Sequence, residues 1–241
     1  MRLGPRAVFV GGWPLTALTH PSPNFGPRRG DVTPDMIVLH YTAMTSAQAA
    51  CRTLCNPENE VSAHYLIAED GEVMSLVAEE MRAWHGGAGR WGDVIDVNSR
   101  SIGIELANDG VSPFSAPLMD SLTGLIGAIM TRWDISPQRV IGHSDMSPAR
   151  KIDPGVRFDW RRLAREGVSV WPQAGQGAPP ESFAELMARF GYTATQDADL
   201  LLDCFRRRFR PFAVGPLDAV DCAMIADLAQ RFPVDQTAPT A

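Results

Sequence analysis

Met36-Ile-Val-Leu-His-Tyr-Thr42 is a continuous apolar run with a β-branched bias, and it delivers an imidazole, His40, near its end. Such a run reads as a buried strand. Ser101-Ile-Gly-Ile-Glu-Leu-Ala107 is a second, with Ile102, Ile104 and Leu106 on one face and Glu105 on the other. Val140-Ile-Gly142 is a short third that leads straight into His143. Val61 to Ala68 reads as a further strand, and Asp70-Gly71 as a hairpin turn returning through Val73 to Val77. Thr45 or Ser46 caps a helix to about Leu54. Leu118, Leu122, Leu125, Ile126, Ile129, Met130 and Trp133 recur at helical spacing and predict a helix packed on the sheet. Phe158 to Arg165 is predicted as one more short helix. The expected fold class is α/β, a central mixed β-sheet flanked by helices, with a small C-terminal three-helix domain.

The boundaries follow from composition. Residues 1–21 are expected to be an N-terminal extension, since Gly11, Gly12 and Pro14 interrupt what would otherwise resemble a signal peptide. His20 to Asp31 reads as an irregular arm rich in Pro, Gly and Arg. Residues 22–172 form the main domain, and Pro172-Gln-Ala-Gly-Gln-Gly-Ala-Pro-Pro180 marks a linker over 173–180. Glu181 to Gly191, Asp197 to Phe209 and Asp218 to Phe232 are predicted as the three helices of a module over 181–235.

Bulk properties narrow the function classes. A net charge of −6 argues against non-specific affinity for nucleic acid or an anionic membrane. No apolar run approaches the roughly 20 residues that span a bilayer. Cys51, Cys55, Cys204 and Cys222 form no Cys-x-x-Cys pair and are expected to be free thiols. From Glu181 onward nine acidic residues outnumber six arginines, so Arg206 to Arg208 with Arg210 is expected to be a solvated helix face.

The chemistry gathers at strand ends. His40, Glu105 and His143 leave separate core strands, and the loop from His143 to Gly155 adds Lys151 and Asp153. Two imidazoles and a carboxylate suit zinc, which in catalytic sites takes three protein ligands and keeps one position open. Each residue also has a plainer reading: Glu105 as a buried salt-bridge partner, Lys151 as an exposed loop charge, Asp153 as the start of an Asx-turn. His64 reads as a hydrogen-bonded core or outer-shell histidine. Trp84 and His85, in a glycine-rich loop, are candidates for substrate contact. Arg100 and Asn108, flanking the Glu105 strand, are candidates for holding peptide carboxylates.

Ile37-Val-Leu-His-Tyr-Thr42, Val61-Ser-Ala-His-Tyr-Leu-Ile67, Ala83-Trp-His-Gly-Gly87, Ser101-Ile-Gly-Ile-Glu-Leu106 and Gly142-His-Ser-Asp145 with Arg150-Lys-Ile-Asp-Pro-Gly155 resemble, in order, the zinc-dependent N-acetylmuramoyl-L-alanine amidases of the AmpD type. These share a fold with phage lysozyme amidases and peptidoglycan recognition proteins. The resemblance covers roughly Ser22 to Pro172. It implies a zinc ion held by His40, His143 and Asp153, Glu105 as acid/base and Lys151 as partner of the developing oxyanion. It also implies peptidoglycan or a muropeptide as substrate, and the alternative it leaves is a non-catalytic peptidoglycan recognition protein. The C-terminal segment is similar to the three-helix peptidoglycan-binding domain, though Phe205-Arg206 and Cys222-Ala223 depart from its usual residues. It is expected to be a tethered module whose removal leaves the chemistry intact, and the chain is expected to be a monomer. The N-terminus favours the cytoplasm and the C-terminal module the cell envelope.

Overall fold

The computed structural model describes residues 8–10, 13–15, 19–173, 175 and 177–234. In chain order the elements are β1 Val8–Val10, β2 Trp13–Leu15, β3 Phe25–Pro27, β4 Met36–Tyr41, α1 Ala47–Leu54, β5 Tyr65–Ile67, β6 Val73–Ser75, β7 Met81–Ala83, α2 Val97–Arg100, β8 Ser101–Leu106, α3 Ala116–Trp133, β9 Val140–Gly142, α4 His143–Met146, α5 Trp160–Arg165, α6 Phe183–Phe190, α7 Ala198–Phe209 and α8 Ala219–Arg231. The expected extension over 1–21 lies mostly outside the described residues; within it, β1 and β2 form an antiparallel pair.

Five strands form the central sheet in the order β6-β5-β8-β4-β9. β5, β8, β4 and β9 run parallel, and β6 returns antiparallel beside β5. The sheet is therefore mixed, as expected. β4 reads as an unbroken apolar run because both its faces are covered. Ile37 and Leu39 join Ile102, Ile104 and the α3 residues Leu118, Leu122 and Leu125 on one face. Met36 and Val38 join Ile141 and Met146 on the other, against Phe190, Phe205, Phe209 and Ile225 of α6, α7 and α8. The C-terminal helices thus share one apolar cluster with the sheet. α1, capped by Ser46 Oγ accepting from Ala49 N–H at 3.2 Å, covers the remaining part near Leu66 and Met74. No helix among the described residues is long and apolar enough to cross a membrane.

Four local expectations change. The arm over His20 to Asp31 contains β3, which pairs with β7. Asn24 Nδ2 ties it down by donating to the carbonyls of Asn56 at 2.9 Å and Val61 at 2.8 Å. The strand expected over Val61 to Ala68 shrinks to β5, and Ser62 instead donates its hydroxyl to Asn24 O at 2.6 Å. The residues after β9 make one helical turn, α4, whose Asp145 Oδ2 accepts the Gly142 N–H at 2.8 Å. The arginines of α7 are not a solvated face. Arg206 is buried against Asp221 and Arg208 against Asp145, because α7 turns that side toward the sheet and α8. All four cysteines are free; Cys204 and Cys222 are buried, Cys51 and Cys55 half-buried.

Candidate metal centre and its cavity

The parallel register of β4 and β8 sets His40 beside Glu105. On the other side of β4, β9 ends at Gly142, so His143 emerges at the same edge of the sheet. The loop after α4 doubles back through Lys151 and Asp153, and its backbone is tied to the turn by Ser144 N–H donating to Asp153 O at 2.9 Å.

Three side-chain atoms meet at that edge. His40 Nδ1 and His143 Nδ1 lie 2.9 Å apart, and Asp153 Oδ2 lies 3.1 Å from the first and 3.0 Å from the second. The three residues are 1%, 3% and 7% exposed. Their other contacts assign the ring protons. His143 Nε2 sits 3.0 Å from the Gly86 carbonyl, which only accepts, so in the neutral ring the proton is on Nε2 and Nδ1 carries the lone pair. The second assignment is a relay. Ser101 Oγ donates to Val97 O at 2.6 Å and so accepts from His85 Nε2 at 3.1 Å. That leaves His85 Nδ1 to accept from His40 Nε2 at 3.0 Å, and His40 Nδ1 is left with its lone pair. Burial, reinforced by His143, lowers the His40 pKa to about 4, so the ring carries one proton at neutral pH.

The centre is therefore a triangle of three acceptors with no proton to share. In the interior, such a group is tolerated when a cation completes it. Donors at bonding distance from a tetrahedral zinc, about 2.0–2.1 Å, stand about 3.3 Å from each other, close to the separations found here. Among the described residues this is the group of His, Cys, Asp and Glu side chains that could hold a metal ion.

The triangle lies in a cavity of about 420 Å³ that Trp84, His85, Glu105, Arg150 and Lys151 help to line. Glu105 Oε2 is buried with no hydrogen-bond partner among the described residues. Burial and the neighbouring Asp153 carboxylate push the Glu105 pKa up to about 8, against the opposing pull of Lys151. A proton-hungry carboxyl in a cleft beside a candidate metal site is the environment of a general base.

Of the residues singled out in the sequence, His40, Trp84, His85, Glu105, His143, Lys151 and Asp153 come together here. Arg100 and Asn108 do not line the cavity. Arg100 stands at the amino end of β8, away from Glu105, and its Nε donates to Asp35 at 3.0 Å. Asn108 Oδ1 accepts from Gly110 N–H at 2.8 Å and its amide donates to Ser112 O at 3.2 Å, which closes the loop after β8. The arginine at the cavity is Arg150. Both nitrogens of His85 are engaged by His40 and Ser101, so it orients a ring of the triangle. Ser101 and the Gly86 carbonyl were missed, because a bare sequence does not show which hydroxyl or carbonyl will meet a ring.

Sheet and cavity are those of a mixed α/β enzyme with a candidate metal centre at the carboxyl edge of its parallel strands. The sequence model of the N-acetylmuramoyl-L-alanine amidases matches residues 30–156, just over half of the chain, and the chain belongs to that family. Over 234 residues it is 32% identical to the N-acetylmuramoyl-L-alanine amidase AmiD of Escherichia coli K12, covering 83% of this chain and 84% of AmiD. The 1,6-anhydro-N-acetylmuramyl-L-alanine amidase AmpD of Citrobacter freundii is 30% identical, over 63% of this chain and 90% of its own. In three dimensions the chain is similar to E. coli AmiD solved with the substrate anhydro-N-acetylmuramic acid-L-Ala-D-gamma-Glu-L-Lys. The TM-score is 0.77 at 29% identity, covering 95% of this chain and 99% of that one. AmpDh3 of Pseudomonas aeruginosa superposes with a TM-score of 0.75 at 30% identity, over 88% and 95% of the two chains.

Proposed function

We propose that this amidase hydrolyses the bond between the lactyl carbonyl of N-acetylmuramic acid and the amine of L-alanine in muropeptides, with zinc held by His40, His143 and Asp153. The observation that carries the reading is the acceptor-only triangle facing an unpartnered Glu105 carboxylate oxygen. Likeness to E. coli AmiD and to AmpDh3, both solved with anhydromuramyl peptides, supports the substrate class. Zinc held there would supply a Lewis acid that polarises the carbonyl and makes water a better nucleophile near neutral pH.

The remaining steps belong to the chain. Glu105, whose raised pKa an adjacent cation would draw back down so that the carboxylate is available, takes the proton of the attacking water, holds it, and returns it to the departing alanine nitrogen. A carboxyl whose pKa is raised by burial suits that double duty, so one group serves both transfers. The Lys151 ammonium sits at the cavity wall to stabilise negative charge growing on the carbonyl oxygen. Trp84 offers a flat apolar surface to sugar or peptide. His85 and Ser101 keep the His40 lone pair aimed at the centre.

Incubation of the zinc-loaded protein with an anhydromuramyl tripeptide is expected to release a peptide beginning with L-alanine, detected by mass spectrometry. Glu105→Gln is expected to keep its zinc and lose at least about 100-fold in kcat. If the wild type binds zinc and muropeptide yet releases nothing, the chain is a recognition protein.

A further inference from the structure

The turn that carries His143 is gripped from behind by the C-terminal helices. Asp145, two residues after His143, is 1% exposed and does not line the cavity. Its Oδ2 accepts from Gly142 N–H at 2.8 Å and from Arg208 Nη1 at 2.7 Å. Its Oδ1 accepts from the Tyr192 hydroxyl at 2.7 Å. Arg208, 3% exposed, donates through Nη2 to the Val140 carbonyl of β9 at 3.0 Å, and its guanidinium lies 4.1 Å over the Trp160 ring. Cys204 Sγ donates to Ser144 O at 3.1 Å. One guanidinium thus bridges the strand before His143 and the turn after it. Through Ser144 N–H the same turn holds the backbone of Asp153.

Helix-to-sheet adhesion alone does not call for this arrangement. Apolar side chains of similar volume stabilise an interior as well as a buried ion pair does, or better. A planar fork with fixed donors adds direction, which an imidazole at a metal site requires.

We propose that Arg208 and Tyr192 are positioning residues for His143, so that the C-terminal helices complete the metal centre. The inference rests on the reading of His143 as a zinc ligand. Zinc affinity of the full chain, measured by competition with a chromophoric chelator, tests it alongside thermal melting of the metal-free protein. Tyr192→Phe removes one oxygen, and Arg208→Lys removes the fork while keeping the charge. Both are expected to weaken zinc binding about tenfold, the effect of losing an outer-shell partner. At saturating zinc, KM for muropeptide is expected to stay at the wild-type value. Arg206→Lys serves as the contrast, since Arg206 pairs with Asp221, with Asp218 at 3.8 Å and with the carbonyls of Gly215 and Pro216, all within residues 215–221. It is expected to lower Tm and leave zinc affinity unchanged. Wild-type zinc affinity in both Tyr192→Phe and Arg208→Lys overturns the proposal. Should Arg208→Lys fail to fold, Tyr192→Phe decides alone. Unchanged affinity in His143→Ala would instead strike the ligand reading, and the proposal with it.

Discussion

His64 shows what a single side chain contributes away from the chemistry. It is buried, its Nδ1 accepts from Gly103 N–H at 3.0 Å, and its Nε2 donates to Met81 O at 3.1 Å. Burial, then the nearby Arg28 guanidinium, lowers its pKa from 6.5 to about 4. The folded ring is neutral while the unfolded one takes a proton below pH 6.5. Its stabilisation is therefore complete above that value and fades as the pH falls toward 4, by an amount of a few kcal/mol. Melting of the metal-free protein is expected to lose Tm across that window, with a shallower slope in His64→Asn; parallel curves for the two would refute the assignment. At this scale the residue types at the cavity were legible as motifs, while their partners were not. Arg100 illustrates the reason. Flanking Glu105 in sequence puts the two at opposite ends of a six-residue strand, roughly 16 Å apart at strand rise.

Among the elements, β8 holds the tautomer relay in place. A Cβ on Gly103 would stand 2.4 Å from His85 Cγ, so the imidazole rests directly on strand backbone. Gly103→Ala is expected to push His85 away from His40 and to weaken zinc binding at least tenfold. Gly26→Ala in β3, where a Cβ meets nothing within 4 Å, is expected to change little. Equal zinc affinity in the two variants, by the same chelator competition, would remove His85 from the role given to it here. The long elements were readable because burial imposes a period: β4, β8 and α3 lie within two residues of their expected bounds. β3 and β7 were not, since each is a strand only through pairing with a partner more than 50 residues away. α4 is a single turn, too short to show any period.

For the whole molecule the question is whether the helices beyond Gly177 stand apart. Their apolar residues share a cluster with Met36, Val38, Ile141 and Met146 of the sheet and the turn. Truncation at Gly177 would bare that face and leave the Asp145 carboxylate without Arg208 and Tyr192. The truncated chain is expected to melt at least 10 °C lower or to aggregate, and to lose zinc affinity with it. Wild-type melting and turnover after the cut would support a tethered module instead.

By itself the sequence determined the sheet strands, the long helix and the order of five motifs, because apolar periodicity and residue type are local properties. The tertiary structure decided which nitrogen of His40 and His143 faces the centre, which arginines are buried, and that the C-terminal helices back the turn that carries His143. Those outcomes depend on atoms brought together from far along the chain, such as Arg208 and Asp145 across 63 residues, and no local pattern encodes that meeting.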